Sequence, residues 1–262
     1  MEAVYPQKKE LSVSRLLGID CLSALGSAAP CAAFVCMIDK AVTQNASKTA
    51  TLTQSLAQSM KSMLTQPHKF FGGRAYIAVA IVYTGTYITA NITTTWCERN
   101  SKDPKVYKLA FTSAVNIGLG VTKDKLFAVW FGGKSAASFP ARSWAMFIAR
   151  DIVTVGAGFV LPEIVSDAMV KNGIISNKPT ADIIAQLAVP ISAQLVLTPM
   201  HLLALDMYNR PRKNMADRVR NIRSLLVESA GARIARVGCV YGIAGIGNKF
   251  CRGHLLEDEF KK

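Results

Sequence analysis

Residues 75–97 read AYIAVAIVYTGTYITANITTTWC, and no side chain in the stretch carries a formal charge. Wound as an α-helix at about 1.5 Å per residue, the run reaches about 34 Å, enough to cross a hydrocarbon core of about 30 Å. Trp96 stands at its end, where an aromatic side chain suits a membrane interface. The stretch points to a helical protein that lives in a bilayer.

Five further stretches extend the pattern outward. Residues 16–38 carry one acid, Asp20, expected to lie solvated near one membrane face; Gly18, Gly26 and Ser27-Ala28-Ala29-Pro30 supply small contact residues and a kink. Residues 109–131 are interrupted by Lys123-Asp124-Lys125, and residues 143–164 by Arg150-Asp151. Residues 183–205 are again free of charge and contain Pro190 and Pro199. The sixth stretch is the weakest. Only 237–248 lacks charge, so a span there must take in Arg233 and Arg236 or run past Lys249. The expectation is an all-α fold, a six-helix transmembrane bundle forming one membrane domain.

The composition agrees. Half of the 262 residues are hydrophobic, the mean hydropathy is +0.24, and yet the net charge is +14. Apolar and basic residues are segregated along the chain, which disfavours a soluble nucleic-acid-binding protein and suits a membrane protein with basic loops. The six cysteines form no CxxC pair and read as small buried hydrophobes. Three scattered histidines, with no HExxH, offer no enzyme, metal or cofactor site. The glycines at 242, 245 and 247 match a phosphate loop only weakly, because no strand precedes them; they read as a packing face. Residues 1–10 show neither a secretory nor a transit pattern.

The connectors sort by charge. Residues 41–74 carry Lys48, Lys61, Lys69 and Arg74 without an acid, and residues 132–142 carry Lys134 and Arg142. Residues 209–232 carry Arg210, Arg212, Lys213, Arg218, Arg220 and Arg223 against Asp217 and Glu228. These three connectors hold ten net positive charges, whereas the segments at 1–10, 98–104, 172–179 and 252–262 hold one between them. Six spans place the two sets on opposite faces, and the positive-inside rule orients the chain with both termini on the far side. Within the basic connectors, Leu52, Leu56, Met60 and Leu64 recur at i, i+4, and Val219, Ile222, Leu225 and Leu226 alternate with arginines. Both patterns predict helices lying on the headgroups, with anionic lipid as a partner.

The unit of long helix, surface helix, long helix recurs at about 11–98, 105–172 and 180–252. Residues 150–163, with Arg150-Asp151, Phe159 and Glu163, are similar to the even-helix pattern of the mitochondrial carrier family. Arg236 to Lys249, Lys69-Phe70-Phe71-Gly72 and Pro199 add fainter echoes, and in architecture the chain resembles a divergent member of that family. No copy of that family's Px[DE]xx[KR] signature is present: Pro199 is followed by His201, Pro30 precedes Asp39 and Lys40 by nine and ten residues, and Lys123-Asp124-Lys125 lacks a proline.

The resemblance implies a protein of the inner mitochondrial membrane with both termini in the intermembrane space. It implies exchange of a small anionic or zwitterionic metabolite through a central cavity lined by Arg150, Asp151, Arg236, Asn91 and Tyr87. Charges at membrane depth are costly unless paired or facing water, which independently singles out Arg150 and Asp151. Asp39, Lys40, Lys123, Asp124, Lys125, His201, Asp206, Glu163 and Lys249 form the expected gate or charge network. The missing signatures leave a second reading, a carrier fold reused as a non-transporting subunit of a larger inner-membrane complex.

Overall fold

The computed structural model describes residues 12–132 and 139–260, so Lys134 and the segment at 1–10 lie outside the described residues. The described residues are all-helical, without a strand. Among them, four helical stretches are long and apolar enough to cross a membrane: α1 (Val13–Ser47), α4 (Arg74–Arg99), the run Ala141–Lys171, and α8 (Lys178–Asn209). Their packing is that of a lipid-solvated protein. Leu22, Leu25, Ile81, Ile152, Ile183 and Leu195 are exposed, while Ala24, Ala28 and Ala32 along one face of α1 are fully buried. In lipid, large apolar side chains gain nothing by facing inward, and small ones let backbones approach closely.

The chain divides into two compact units. The first comprises α1 up to Cys36, α3 (Pro67–Phe71), α4, α5 (Pro104–Phe131) up to Leu119, the π-helical segment Cys239–Ile246 and α10 (Gly247–Phe260). Here Leu16, Ile19 and Leu256 pack α1 against α10. The Tyr76 hydroxyl reaches the Ala29 carbonyl at 3.3 Å, and the Tyr87 hydroxyl donates to the Val240 carbonyl at 3.1 Å. Asn116 donates to the Thr86 hydroxyl at 3.1 Å, tying α5 to α4.

The second unit comprises α1 from Met37, α2 (Leu52–Thr65), α5 from Gly120, α6 (Ala141–Val155), a π-helical turn Gly156–Val160, α7 (Leu161–Lys171), α8, and α9 (Met215–Gly238) up to Val237. Pro179 occupies the first turn of α8, and Pro162 follows the π-helical turn at the start of α7. Pro190 and Pro199 lie inside α8, where they remove backbone donors. The Pro190 carbonyl receives the Gln194 amide at 3.3 Å. Both α6 and α7 pack along α8, and the Ser143 hydroxyl donates to the Ala204 carbonyl at 3.0 Å.

Several expected boundaries move. The first helix continues through Asp39 and Lys40 to Ser47, so much of the connector at 41–74 is α1, α2 or α3 rather than loop. The expected surface helix near 51–66 is α2, capped by Thr51, whose hydroxyl accepts from the Gln54 N–H. Its protein-facing residues are Leu52, Ser55 and Ser59; Met60 and Leu64 of the apolar row are exposed, Leu64 at 72 %. At the other end, no link separates a surface helix at 215–227 from a sixth span. Helix continues from Met215 to Phe260 with π-helical winding at Cys239–Ile246, because Ala232 to Arg236 are mostly strong helix formers and Gly231 alone does not break them.

Gly132 closes α5 in a position that admits no side chain. A Cβ there would meet the Ala128 carbonyl oxygen at 2.2 Å and the Asn209 Oδ1 at 2.8 Å. Gly132→Ala is therefore expected to destabilise the protein by about 1–3 kcal/mol, the usual cost of overpacking. Thermal unfolding in detergent checks this; an unchanged midpoint would refute the close approach.

Candidate functional site

The second unit is built around charges that helices of this kind rarely hold. Asp39 of α1, Lys123 and Asp124 of α5, and Arg150 and Asp151 of α6 are all buried. They touch in sequence: Lys123 Nζ lies 2.5 Å from Asp39 Oδ2 and 2.5 Å from Asp124 Oδ1. Asp124 Oδ2 is 2.7 Å from Arg150 Nη2, and Arg150 Nε donates to Asp151 Oδ1 at 2.9 Å. Arg236 of α9 extends the chain, its Nε 3.2 Å from Asp39 Oδ1. The Arg150 Nη1 sits 2.7 Å from His201 Nδ1. A guanidinium can only donate, so Nδ1 must carry its lone pair and the ring its proton on Nε2. Phe127 and Phe147, both fully buried, cover Lys123 and Arg150 with their rings at 5.3 and 5.4 Å.

Removing such groups from water costs several kcal/mol per ion, which only close pairing offsets. The alternation of sign along Arg236, Asp39, Lys123, Asp124, Arg150 and Asp151 provides that pairing. Another buried base of the same unit stands outside it. Arg233, one turn before Val237 on α9, is buried and donates from Nε to Gln194 Oε1 of α8 at 3.2 Å.

A separate cluster joins α8 to α9. The buried Asp206 accepts from Arg210 Nε at 2.8 Å, from Arg218 Nη1 at 2.6 Å and from Asn221 at 3.1 Å. Arg218 also donates to the Arg210 carbonyl at 2.8 Å.

The first unit has its own polar layer. Asp20, expected to be solvated, is 1 % exposed. Its Oδ1 accepts from Arg252 Nε at 2.7 Å and its Oδ2 from the Thr95 hydroxyl at 2.5 Å. Asn91 donates to the Asp20 carbonyl and to Asn248 Oδ1, both at 3.0 Å, and Asn248 returns a bond at 2.9 Å.

Of the residues singled out in the sequence, Arg150, Asp151, Arg236, Asp39, Lys123, Asp124 and His201 come together in one network. Asn91 and Tyr87 belong to the first unit. Lys40 lies over the Phe131 ring at 5.7 Å and Lys125 over Trp144 at 5.3 Å, neither in the network. Asp206 sits in its own cluster. Glu163 and Lys249 are exposed and join no ion pair among the described residues. Sequence reading missed Arg233 with Gln194, and Asp20 with Arg252. Asp20, the sole charge in residues 16–38, was the available signal for the second pair.

Long apolar helices, some of them holding buried paired charges, define a multi-pass helical membrane protein. Residues 23–256 match the family described as a probable citrulline exporter, and the chain belongs to that family. The carrier-family reading is thereby corrected. The match spans nearly the whole chain and no carrier-family domain is found; the Arg-Asp step that prompted the resemblance is part of a buried ion-pair chain. The inner-mitochondrial setting that followed from the resemblance loses its support. No curated protein and no solved structure matches the chain.

Proposed function

We propose that the protein exports a small zwitterionic amino acid of the citrulline kind, and that the buried network of the second unit belongs to its path. The observation that carries this reading is the run of contacting charges from Arg236 to Asp151 inside apolar helices, within a chain of an exporter family. Ionisable groups at membrane depth mark solute or ion pathways. Charge distribution supports six spans, with α5 and the Met215–Phe260 run joining the four apolar ones, and both termini opposite the basic connectors. Exposed Arg220 and Arg223 beside exposed Met215 and Val219 support contact of α9 with anionic lipid.

The test is release of labelled citrulline from vesicles containing the purified protein. Release well above that of protein-free vesicles is expected. Equal release, together with retention of the protein in a larger complex, would replace transport with a structural role.

A further inference from the structure

Arg233 is a buried charge without an acid beside it, and we infer that its guanidinium is the seat of the substrate's carboxylate. The inference rests on the exporter reading and names the part of that site that recognises the solute. Arg233 is 3 % exposed, and among the described residues no carboxylate lies within ion-pair distance of it. Its one neutral partner, Gln194, accepts a single bond from Nε and leaves the forked Nη side of the guanidinium without an anion. A guanidinium presents five donors in a plane that matches a carboxylate bidentately.

Two hydroxyls flank this position. On α9, Ser229 lies one turn before Arg233; on α8, Thr198 lies one turn beyond Gln194. Both are fully buried, and neither hydroxyl oxygen has a hydrogen-bond partner. Helical serines and threonines ordinarily bond back to the preceding turn, as Ser23, Ser27, Thr43 and Thr154 do here. Ser229 and Thr198 thus keep donors in reserve on the two helices that Arg233 and Gln194 join.

Charge balance gives the sign of the group that meets Arg233. Lys123, Arg150, Arg233 and Arg236 face Asp39, Asp124 and Asp151, with His201 uncharged, so the interior carries one surplus positive charge. The paired members account for one another, and Arg233 is the surplus. A carboxylate neutralises it. Asp151 Oδ2, a buried oxygen without a hydrogen bond, is left to accept an ammonium. A second cation on the ligand's side chain would add to the surplus positive charge that the site already carries. The site therefore takes an amino acid with a free carboxylate and a neutral side chain, and it discriminates against arginine and ornithine.

Ligand-induced thermal stabilisation of the purified protein in detergent tests this with citrulline, citrullinamide and arginine, beside vesicle counterflow. Citrulline is expected to raise the unfolding midpoint of the unsubstituted protein. Citrullinamide, which lacks the carboxylate, should leave it unmoved, and arginine should bind at least tenfold more weakly. Arg233→Met should unfold at a higher temperature than the unsubstituted protein, because it deletes an uncompensated buried charge, and should lose the citrulline response and counterflow. Arg233→Lys should retain binding weakened at least tenfold.

Equal stabilisation by citrulline and citrullinamide would overturn the anchor without any variant, as would Arg233→Met that still exchanges citrulline. Should the unsubstituted protein move no citrulline, the exporter reading fails separately. A panel of neutral amino acids and simple carboxylates then decides the anchor: one that stabilises the unsubstituted protein but not Arg233→Met sustains it, and none doing so ends it.

Discussion

Arg150→Leu is expected to be the most damaging single substitution in the chain, lowering stability by about 3–5 kcal/mol and sharply reducing the folded protein recovered from membranes. The reason is topological. Among the described residues Arg150 is the only base contacting Asp151, it shares Asp124 with Lys123, and it reaches His201 on α8. Its removal strands the Asp151 carboxylate in an apolar interior and leaves His201 Nδ1 without its donor. Leucine fills much of the volume, so the loss is electrostatic rather than a cavity. The diagnostic is rescue. Arg150→Leu/Asp151→Asn removes both charges, leaves Asp124 paired with Lys123, and should recover most of the lost stability. If the double variant unfolds as readily as the single one, the pair is not what holds α6 in place. Thermal unfolding in detergent measures both, and the coupling between the two sites is the informative quantity.

The second large effect is expected at the corner between α8 and α9. Asp206→Leu should also cost about 3–5 kcal/mol, because Arg218 is buried and loses the one acid that pairs with it among the described residues. Arg210 is partly exposed and can turn to water, so Arg218 dominates. Asp206→Asn keeps an acceptor for one arginine and should cost clearly less. Limited trypsin digestion gives a local readout: cleavage after Arg212 or Lys213 should accelerate in Asp206→Leu and return towards normal in Asp206→Leu/Arg218→Met. Unchanged cleavage would mean that the corner is held by the backbone alone.

Much of the fold was legible because charge-free runs long enough to span a bilayer have few other uses. Residues 75–97 and 183–205 fall within α4 and α8. Helix ends were less legible. Residues 41–47 and 228–232 read as connector beyond any predicted helix, yet α1 and α9 carry them as helix, with partners such as Asn45 donating to Glu228 at 3.2 Å. At the candidate site, charge at membrane depth picked out Arg150 and Asp151 directly. What could not be read was the pairing. Asp20 and Arg252 stand 232 residues apart, and nothing local tells an acid near a helix start whether it will meet water or an arginine. The family signal misled for a related reason: an Arg-Asp step in an apolar helix satisfies itself wherever it occurs, so it carries little information about descent.

The π-helical turn Gly156–Val160 has a consequence for how α7 is oriented. The Leu161 N–H donates to the Gly156 carbonyl, five residues back rather than four, so the turn holds one residue more than an α-helical turn would. Downstream side chains keep the angular phase they would have if that residue were missing. Deleting Ala157 should therefore leave buried Pro162 and Ser166 facing as they do, with the stretch rewound as ordinary α-helix. Rewinding the same turn without a deletion would rotate all of α7 by about 100° and carry its inward row to the outside. Sequence length at this one turn, rather than side-chain chemistry, sets which face α7 presents to α8.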